Sequence, residues 1–364
     1  MKRLLIATEN FLPRWDGVAR FLTEIIPSIK DEYRITVIAP DFKGDFEGID
    51  GVEIVRVPLT GLTFGDMPIA GMHYNTVQEH VKKTDIVWVH CLGAIGALSI
   101  LAAKRHRKPV LTFIHSIDWE LYPKSAKRFR FLFTLFAKLM VRWMYKKVDL
   151  CMVPTLEVGE KLSYAGIKSK KIVVHLGVDT NKFRPATSKS EAKTALGIDP
   201  KTRVIGYSGR LGREKGVNVI YDAFRRIERE EDNVLLLIIA DGISELKRML
   251  VSDRNVMTPG RVMNIVPYLQ AMDVYVLASF TETSSLSTME AMSCGLPVLT
   301  TRVGYPKKYV REDFNGMFFP TGNSLVLSIK LRELLSNPER RTKLGANARD
   351  TIEQHHKWEN TVDA

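Results

Sequence analysis

Two glutamates eight residues apart, Glu282 and Glu290, have the types and placement that most directly suggest chemistry in this chain. They follow an apolar run at residues 273–278, which predicts a buried parallel strand with a helix after it. Ligands of open α/β sheets bind beyond the carboxyl ends of the strands, and free N–H groups at a helix start bind anions or sugars. We therefore expect a ligand to contact both carboxylates and the residues between them, Ser285, Leu286 and Ser287. The alternative is that Ser287 and Glu290 form only a capping box and that Glu282 is a polar loop residue.

A second group of candidate residues follows the first predicted strand of the second half of the chain. Gly209 and Arg210, then Lys215 and Gly216, precede a predicted helix at residues 217–227. Cations at a helix start oppose its dipole and cost about a few tenths of a kcal/mol. A phosphate between the cations and the helix would offset that cost. The spacing differs from that of a Walker A loop, and a solvated basic turn is the alternative.

Together these segments resemble the Glu-x7-Glu and Gly-Arg-Leu-x-x-x-Lys-Gly motifs of the family-four retaining glycosyltransferases (glycosyl transferases group 1) of GT-B architecture. The resemblance implies that Glu282 contacts the donor sugar and that Glu290 binds the ribose of the nucleotide. It also implies that Arg210 and Lys215 hold the donor diphosphate, where fixed positive charge stabilises the leaving group. No Asp-x-Asp pair stands at a predicted strand end. We therefore expect no metal ion and no cofactor besides the substrate, a UDP- or GDP-linked sugar.

In the first half of the chain the same resemblance singles out two residues, Gly17 and His115. Gly17 precedes a predicted helix at residues 18–29, where the family usually has two glycines that let the backbone approach the donor phosphates. Asp16 replaces the other glycine and could cap the helix instead. His115 follows a predicted strand at residues 110–114 and matches a family histidine that hydrogen-bonds the donor sugar, although a lone histidine is more often a satisfied polar residue. We expect Asp118 on the acceptor side.

The net charge of +12 is concentrated in one part of the chain. Residues 100–148 contain twelve basic and two acidic residues, and residues 124–147 contain eight basic residues and no acid. Apolar side chains recur there at helical spacing, which is typical of an interfacial helix on anionic lipid. An ordinary core-packed helix is the alternative, and RNA binding is less favoured because no stacking platform accompanies the charge. The basic residues that we expect at the membrane are Lys127, Arg128, Arg130, Lys138 and Arg142.

Length and composition indicate a globular protein with more than one core. The chain has 364 residues, 45% hydrophobic and 26% charged. Its three scattered cysteines argue against a disulfide framework or a zinc site, and no run of 18 apolar residues could span a bilayer. Short apolar runs alternate with helix-like segments, which predicts parallel sheets with helices on both faces. The predicted strands are residues 4–8, 35–39, 53–57, 86–89, 110–114, 150–153 and 172–175, then 204–207, 234–239, 274–278, 298–300 and 317–319.

The predicted fold class is therefore α/β. The resemblance makes it a GT-B architecture of two doubly wound, Rossmann-like parallel-sheet domains that face each other across a cleft. We expect an acceptor-side domain at residues 1–180 and a donor-binding domain at residues 181–344, with the boundary in the turn-rich segment 176–185. The last helical segment, predicted from residue 337 to about residue 359, would cross back so that residues 345–364 belong to the first domain. Trp358 would anchor that return.

The expected activity is retaining, metal-independent transfer of a hexose to a lipid or lipid-linked glycan, on the cytoplasmic face of a membrane. The resemblance implies a same-face substitution in which the departing phosphate accepts the acceptor's proton. We expect no nucleic acid and no obligate protein partner. The alternatives are a GT-B sugar-nucleotide epimerase or hydrolase, and a non-catalytic basic adaptor at the membrane. The chain has Ser284-Ser285 and Gly304-Tyr305 where the family often has an aromatic-Gly pair and Gly-Gly, and these departures leave the donor sugar and base open.

Overall fold

The computed structural model describes residues 1–14, 16–64, 67–117, 119 and 130–364, and of residues 64, 67 and 130–134 only the backbone. The chain forms two compact units, Met1–Val174 and His175–Ala364. The division falls just before the turn-rich segment in which we predicted a boundary. Residues 345–364 are grouped with the second unit, and their crossing onto the first domain stays a prediction.

The first unit contains a parallel sheet of seven strands within the described residues, in the order β3-β2-β1-β6-β7-β8-β9. Strands β4 and β5 form a separate antiparallel hairpin that we did not predict. The other strands overlap the predicted runs, because buried parallel strands are short and apolar throughout. The bounds are β1 Lys2–Ala7, β2 Tyr33–Pro40, β3 Glu53–Val57, β4 Leu59–Phe64, β5 Met67–Ala70, β6 Ile86–Val89, β7 Val110–Phe113, β8 Leu150–Val153 and β9 Lys170–Val173.

Helices follow the strands of this sheet and cover it. Fully buried side chains such as Leu5, Val37 and Val87 form the core between the layers. The bounds are α1 Gly17–Ile29, α2 Tyr74–Lys83, α3 Ala94–Arg105, α4 Arg130–Tyr145 and α5 Leu156–Tyr164.

The second unit contains a parallel sheet in the order β12-β11-β10-β13-β14-β15. Five of these strands overlap the predicted runs. We did not predict β12, which has only two residues and therefore no readable apolar period. The bounds are β10 Arg203–Leu211, β11 Val234–Gly242, β12 Val256–Met257, β13 Val274–Leu277, β14 Val298–Thr300 and β15 Gly316–Phe318.

The last helical segment of the second unit differs from the prediction. The segment predicted as one helix from residue 337 to about residue 359 breaks at His356 and Lys357. There the His356 carbonyl accepts from the Val178 N–H (2.9 Å), and the Trp358 N–H donates to the Val178 carbonyl (3.1 Å). This pairing takes two groups out of the helical ladder. The bounds are α6 Lys189–Ala195, α7 Val217–Glu228, α8 Ser244–Val251, α9 Val266–Ala271, α10 Leu286–Ser293, α11 Pro306–Tyr309, α12 Ser324–Ser336, α13 Pro338–His355 and α14 Trp358–Asp363.

The strand orders confirm two doubly wound, Rossmann-like sheets. In each, the order reverses beside the first strand, between β1 and β6 in the first unit and between β10 and β13 in the second. At such a switch point neighbouring strands send their following segments to opposite faces, which leaves a crevice at the carboxyl ends of the strands. The predicted site residues follow these strands.

Candidate active site

The segment after β10 in the second unit is held close to the end of β13. A single 3-10 turn, Arg213–Lys215, connects β10 to α7. Gly216 then adopts φ 63°, and a Cβ there would lie 2.3 Å from the Ala278 carbonyl oxygen. The Phe280 N–H donates to the Glu214 carbonyl (2.8 Å). A glycine is therefore required for the start of α7 to approach the loop after β13.

Two of the predicted site residues form an ion pair. Lys215 Nζ donates to Glu282 Oε1 at 2.7 Å, and Ser279 Oγ donates to the same oxygen at 2.7 Å. The Glu282 side chain is only 7% exposed. A nearly buried carboxylate with a cation and a hydroxyl on one oxygen is fixed in position. The structure thus brings together the lysine predicted for the diphosphate and the glutamate predicted for the sugar.

The predicted diphosphate arginine has a carboxylate partner that the sequence analysis did not single out. Arg210 Nη2 donates to Glu214 Oε1 at 2.5 Å. Glu214 lies within the 3-10 turn, and its side chain is 11% exposed. The spacing of four residues between the two charges was a signal that could have indicated the pair, although across a turn it is a weak one.

The start of α10 is a strained turn held by a buried tyrosine. Ser285, the N-cap residue, has φ 56°, a conformation that non-glycine residues rarely adopt. It stands where the family often has glycine. The Tyr309 hydroxyl donates to the Ser284 carbonyl (3.1 Å) and lies 3.4 Å from that of Ser285, and burial holds the pKa of Tyr309 well above its usual value. Surrounding contacts therefore keep a backbone conformation that the residue type alone disfavours.

The capping-box alternative for the second glutamate is wrong. Ser287 is the second residue of α10, not its N-cap, and Glu290 lies buried in the second turn. Within the described part of the chain no side chain caps α7 or α10, whereas Thr155 and Ser188 cap α5 and α6. Two neighbouring helices thus present first-turn N–H groups beside the switch point, which is the arrangement that binds anions.

The loop after β14 shapes the backbone around Glu282. Gly304 has φ 56°, and a Cβ there would lie 2.2 Å from the Glu282 carbonyl oxygen. The Tyr305 N–H donates to the Thr283 carbonyl (2.8 Å), and Thr301 Oγ1 donates to the Ser279 carbonyl (2.6 Å). This loop therefore fixes the chain on both sides of the glutamate.

The corresponding helix start in the first unit is filled by its own carboxylate. Asp16 caps α1, accepting from the N–H groups of Val18 (2.9 Å) and Ala19 (3.0 Å). The interpretation of Asp16 as a cap is thus confirmed. Gly17 is the first residue of α1, and a Cβ there would have no neighbour within 4 Å. Its approach to donor phosphates stays a prediction.

A second carboxylate, which the sequence analysis missed, fills the start of α3. Glu9 Oε1 accepts from the N–H groups of Ile95 (2.6 Å) and Gly96 (3.1 Å). Burial raises the pKa of Glu9 to about 7, against the opposing effect of these two hydrogen bonds. No local pattern could have revealed this contact, because the partners lie more than eighty residues apart in the chain.

His115 lies directly after β7 and is paired with a second histidine, His90, which we did not predict. His90 Nδ1 and His115 Nε2 are 3.0 Å apart, and both rings pack in an aromatic cluster with Phe21 and Phe113. Burial lowers the pKa of His115 to about 3 and that of His90 well below its usual value. Both rings are therefore neutral, and one donates to the other.

The predicted membrane residues are only partly described. Asp118, Lys127 and Arg128 lie outside the described residues, and so does the side chain of Arg130. Lys138 and Arg142 are exposed on α4.

The apolar side chains of α4 divide between two faces. Ala137, Val141 and Met144 are buried in the core. Phe136 (64% exposed) and Trp143 (53%) point outward with Leu135, Leu139 and Met140. Core packing therefore explains only one of the two apolar faces.

The described ranges lack two features, a membrane-spanning helix and a metal-binding cluster. No helix there is long and apolar enough to cross a membrane. The same residues contain no cluster of three or more metal-ligating side chains. The expectation of metal-independent activity stays a prediction.

Comparison with known families identifies the class of protein that this fold and site define. Residues 188–351 match the family described as glycosyl transferases group 1, and residues 15–182 match that described as glycosyltransferase family 4. Together the two matches span about nine-tenths of the chain. The chain therefore belongs to the family-four glycosyltransferases of GT-B architecture, which confirms the resemblance inferred from the motifs.

Individual relatives are distant but span most of the chain. It is 24% identical over 351 residues to the alpha-monoglucosyldiacylglycerol synthase of Streptococcus pneumoniae, which covers 93% of this chain and 79% of that protein. It is 24% identical over 381 residues to the GDP-mannose-dependent alpha-(1-6)-phosphatidylinositol monomannoside mannosyltransferase of Mycolicibacterium smegmatis. That match covers 98% of this chain and 95% of that protein. The solved structure of Anabaena Alr3699/HepE in complex with UDP and glucose matches with a TM-score of 0.81 at 17% identity. The match covers 100% of this chain and 98% of that chain. That structure supports the fold alone.

Proposed function

We propose that this chain transfers a hexose from a UDP- or GDP-linked sugar to a lipid or lipid-linked glycan, with retention of the anomeric configuration. Membership of the family supports sugar transfer. The names of the two relatives, a glucosyldiacylglycerol synthase and a phosphatidylinositol monomannoside mannosyltransferase, support a lipid acceptor. A nucleotide donor is supported by the GDP-mannose dependence in the name of the second relative.

The observation that carries this proposal is the cluster at the second switch point. Arg210 and Lys215 lie beside two helix starts that no described side chain caps, and Lys215 contacts Glu282 directly. Fixed cations and N–H dipoles at this edge would stabilise the charge that grows on a departing nucleoside diphosphate. With two cations supplied by the chain, the leaving group needs no divalent ion.

The remaining residues have proposed roles that follow from the family resemblance. Glu282 would hold the sugar, and Glu290 would bind the ribose. Ser285, Leu286 and Ser287 would donate N–H groups from the start of α10. In the first unit, neutral His115 would hydrogen-bond the sugar. The departing phosphate would accept the proton of the acceptor hydroxyl on the same face, which gives retention.

The outward face of α4 supports a membrane-bound acceptor. Phe136 and Trp143 are large, exposed and apolar, and Lys147 Nζ lies 3.9 Å from the Trp143 ring centroid. Aromatic rings flanked by lysine and arginine are suited to the boundary between anionic headgroups and acyl chains. We propose that this face rests on the cytoplasmic surface of the membrane, as a peripheral contact.

Transfer to extracted lipid tests the activity. Purified protein is incubated with UDP-glucose or GDP-mannose and lipid extract, and the anomeric configuration of the product is read by NMR. We expect transfer from one of these donors with retention, and an inverted product would contradict the mechanism. Consumption of the donor without an acceptor would favour an epimerase or hydrolase. Binding to lipid with no turnover of any nucleotide sugar would favour an adaptor.

Liposome sedimentation tests the membrane face. Replacing Phe136 and Trp143 with serine should weaken binding to phosphatidylglycerol vesicles by about tenfold, because two exposed aromatic rings no longer insert. Leu325→Ser with Ile329→Ser is the matched control, since both side chains are similarly exposed on α12 of the second unit. Equal binding by both double variants would remove α4 from the proposal.

Glu substitutions of Lys127, Arg128 and Arg130 should weaken binding to anionic vesicles and leave binding to phosphatidylcholine unchanged.

A further inference from the structure

Each cation of the proposed diphosphate site already contacts a carboxylate of the chain. Lys215 donates to Glu282, and Arg210 donates to Glu214. Glu282 has a proposed role toward the sugar, so its place at the site is accounted for. Glu214 has none, although its pairing with Arg210 is the shorter of the two contacts.

The chain around Glu214 is arranged so that its carboxylate turns back onto Arg210. The Glu214 carbonyl is fixed by the Phe280 N–H, and the turn is closed by the Lys215 N–H donating to the Gly212 carbonyl (3.0 Å). A Cβ at Gly212 would lie 2.3 Å from Glu214 Oε1 and 2.4 Å from Oε2. Gly212 has φ −98°, which any residue can adopt, so the glycine there makes room for the carboxylate and is not needed for the turn.

Charge decides what happens to this pair when a diphosphate binds. A diphosphate held by Arg210 would place its anionic oxygens beside the Glu214 carboxylate, and like charges at contact distance repel. Both groups would draw on the N–H donors of one guanidinium, of which Arg210 Nη2 already donates to Glu214. The Glu214 side chain is 11% exposed, so displacement by the diphosphate would turn its carboxylate outward, where water can solvate the charge.

We propose that Glu214 is an internal counter-ion that competes with the nucleoside diphosphate for Arg210. It lowers the affinity of the site for the diphosphate and, after transfer, returns to Arg210 and speeds the release of the nucleotide product. This inference rests on the proposed function, because it requires that Arg210 bind the diphosphate.

Calorimetric titration with UDP and GDP tests this role. Glu214→Gln removes the charge and keeps the shape of the side chain, so it should bind the diphosphate about three- to tenfold more tightly than the wild type. Binding of uridine or guanosine, which lack phosphate, should not change. Gly212→Ala should shift the affinity in the same direction, because a methyl group would displace the carboxylate from Arg210. Thermal unfolding checks that both variants are folded.

Two controls separate displacement from the general field of a removed charge. Glu245→Gln removes a carboxylate that pairs with Arg213 at 3.9 Å and is 78% exposed, and it should change the affinity by less than about twofold. In an Arg210→Gln background, Glu214→Gln should give no gain.

The outcomes are distinct. Weaker or unchanged binding by Glu214→Gln, or an equal gain in Glu245→Gln, would overturn the counter-ion role while the wild type still binds UDP or GDP. A folded wild type that binds neither nucleotide would contradict the proposed function and this inference together.

Discussion

The two sheets share the same strand order over six strands, but the helix starts at their switch points have different partners. In the first unit, Asp16 caps α1 and Glu9 accepts from the start of α3, so the chain's own carboxylates occupy both helix starts. In the second unit no described side chain caps α7 or α10, and the cations Arg210 and Lys215 lie beside them.

The doubly wound topology places helix starts that could bind an anion in both units. The sequence leaves these N–H groups without a side-chain cap only in the second unit, within the described residues. The helix starts and the crevice follow from the topology, so they are present in both units. In the first unit, the carboxylates of Asp16 and Glu9 accept from the N–H groups that would otherwise bind an anion. That edge retains His90 and His115, whose rings are neutral, and neutral groups are suited to hydroxyl-bearing ligands.

The largest expected effect comes from removing a cation of the second switch point. Lys215→Ala should lower turnover by about a hundred- to a thousandfold, because fixed charge toward the leaving group is lost. Steady-state rates with the preferred nucleotide sugar measure this, and circular dichroism checks the fold. Lys247→Ala, an exposed lysine of the same unit, should keep normal turnover. Near-normal rates in Lys215→Ala would break the assignment of the anion site to the second unit.

The next effect concerns Glu9 and depends on pH. Its pKa is raised in the folded state from 4.5 to about 7, so between these values the unfolded chain binds fewer protons than the folded one. Stability should therefore fall as pH rises through this window, by roughly 2 kcal/mol between pH 5 and pH 7. Urea unfolding at both pH values measures it. In Glu9→Gln the free energy of unfolding should no longer show this fall between pH 5 and pH 7. The same pH dependence in both proteins would contradict a titrating carboxylate at the start of α3.

A smaller effect is expected at the other filled helix start. Asp16→Ala should destabilise the protein by about 1 kcal/mol, since two N–H groups of α1 lose their acceptor. Asp16→Asn is the matched control, because asparagine caps helices about as well as aspartate. The free energy of unfolding in urea distinguishes them. If both variants are equally destabilised, the charge of Asp16 matters more than its capping bonds.

The smallest effect concerns the strained start of α10. Ser285→Gly should stabilise the protein by about 0.5 kcal/mol, because glycine adopts positive φ without steric cost. Ser287→Gly, inside the same helix, should instead destabilise by about 0.5 kcal/mol. Chemical unfolding compares the two. Destabilisation by Ser285→Gly would mean that the Ser285 hydroxyl, which lies 2.8 Å from Thr288 Oγ1, outweighs the backbone strain.

Local sequence patterns predicted some strands and candidate site residues of this protein and missed others. Strands such as β6 and β8 of the first sheet were predictable because they are short apolar runs. In contrast, β9 begins with two lysines and overlaps its predicted run at only two residues, and two-residue β12 carries no period. Arg210, Lys215, Glu282 and Glu290 could be singled out as candidates because their motifs are local in the chain. The break at His356 was missed because its cause, the backbone of Val178, lies far away in sequence.

By itself the sequence determined two doubly wound sheets and the charged motifs at their carboxyl ends, because apolar periodicity and turn chemistry are properties of neighbouring residues. Only the tertiary structure decided which helix starts are filled and which charges are paired. Those outcomes depend on loops from separate strands meeting within hydrogen-bond distance, as Glu9 meets Ile95 and Lys215 meets Glu282. Such meetings are set by packing across the sheet, and spacing along the chain does not contain them.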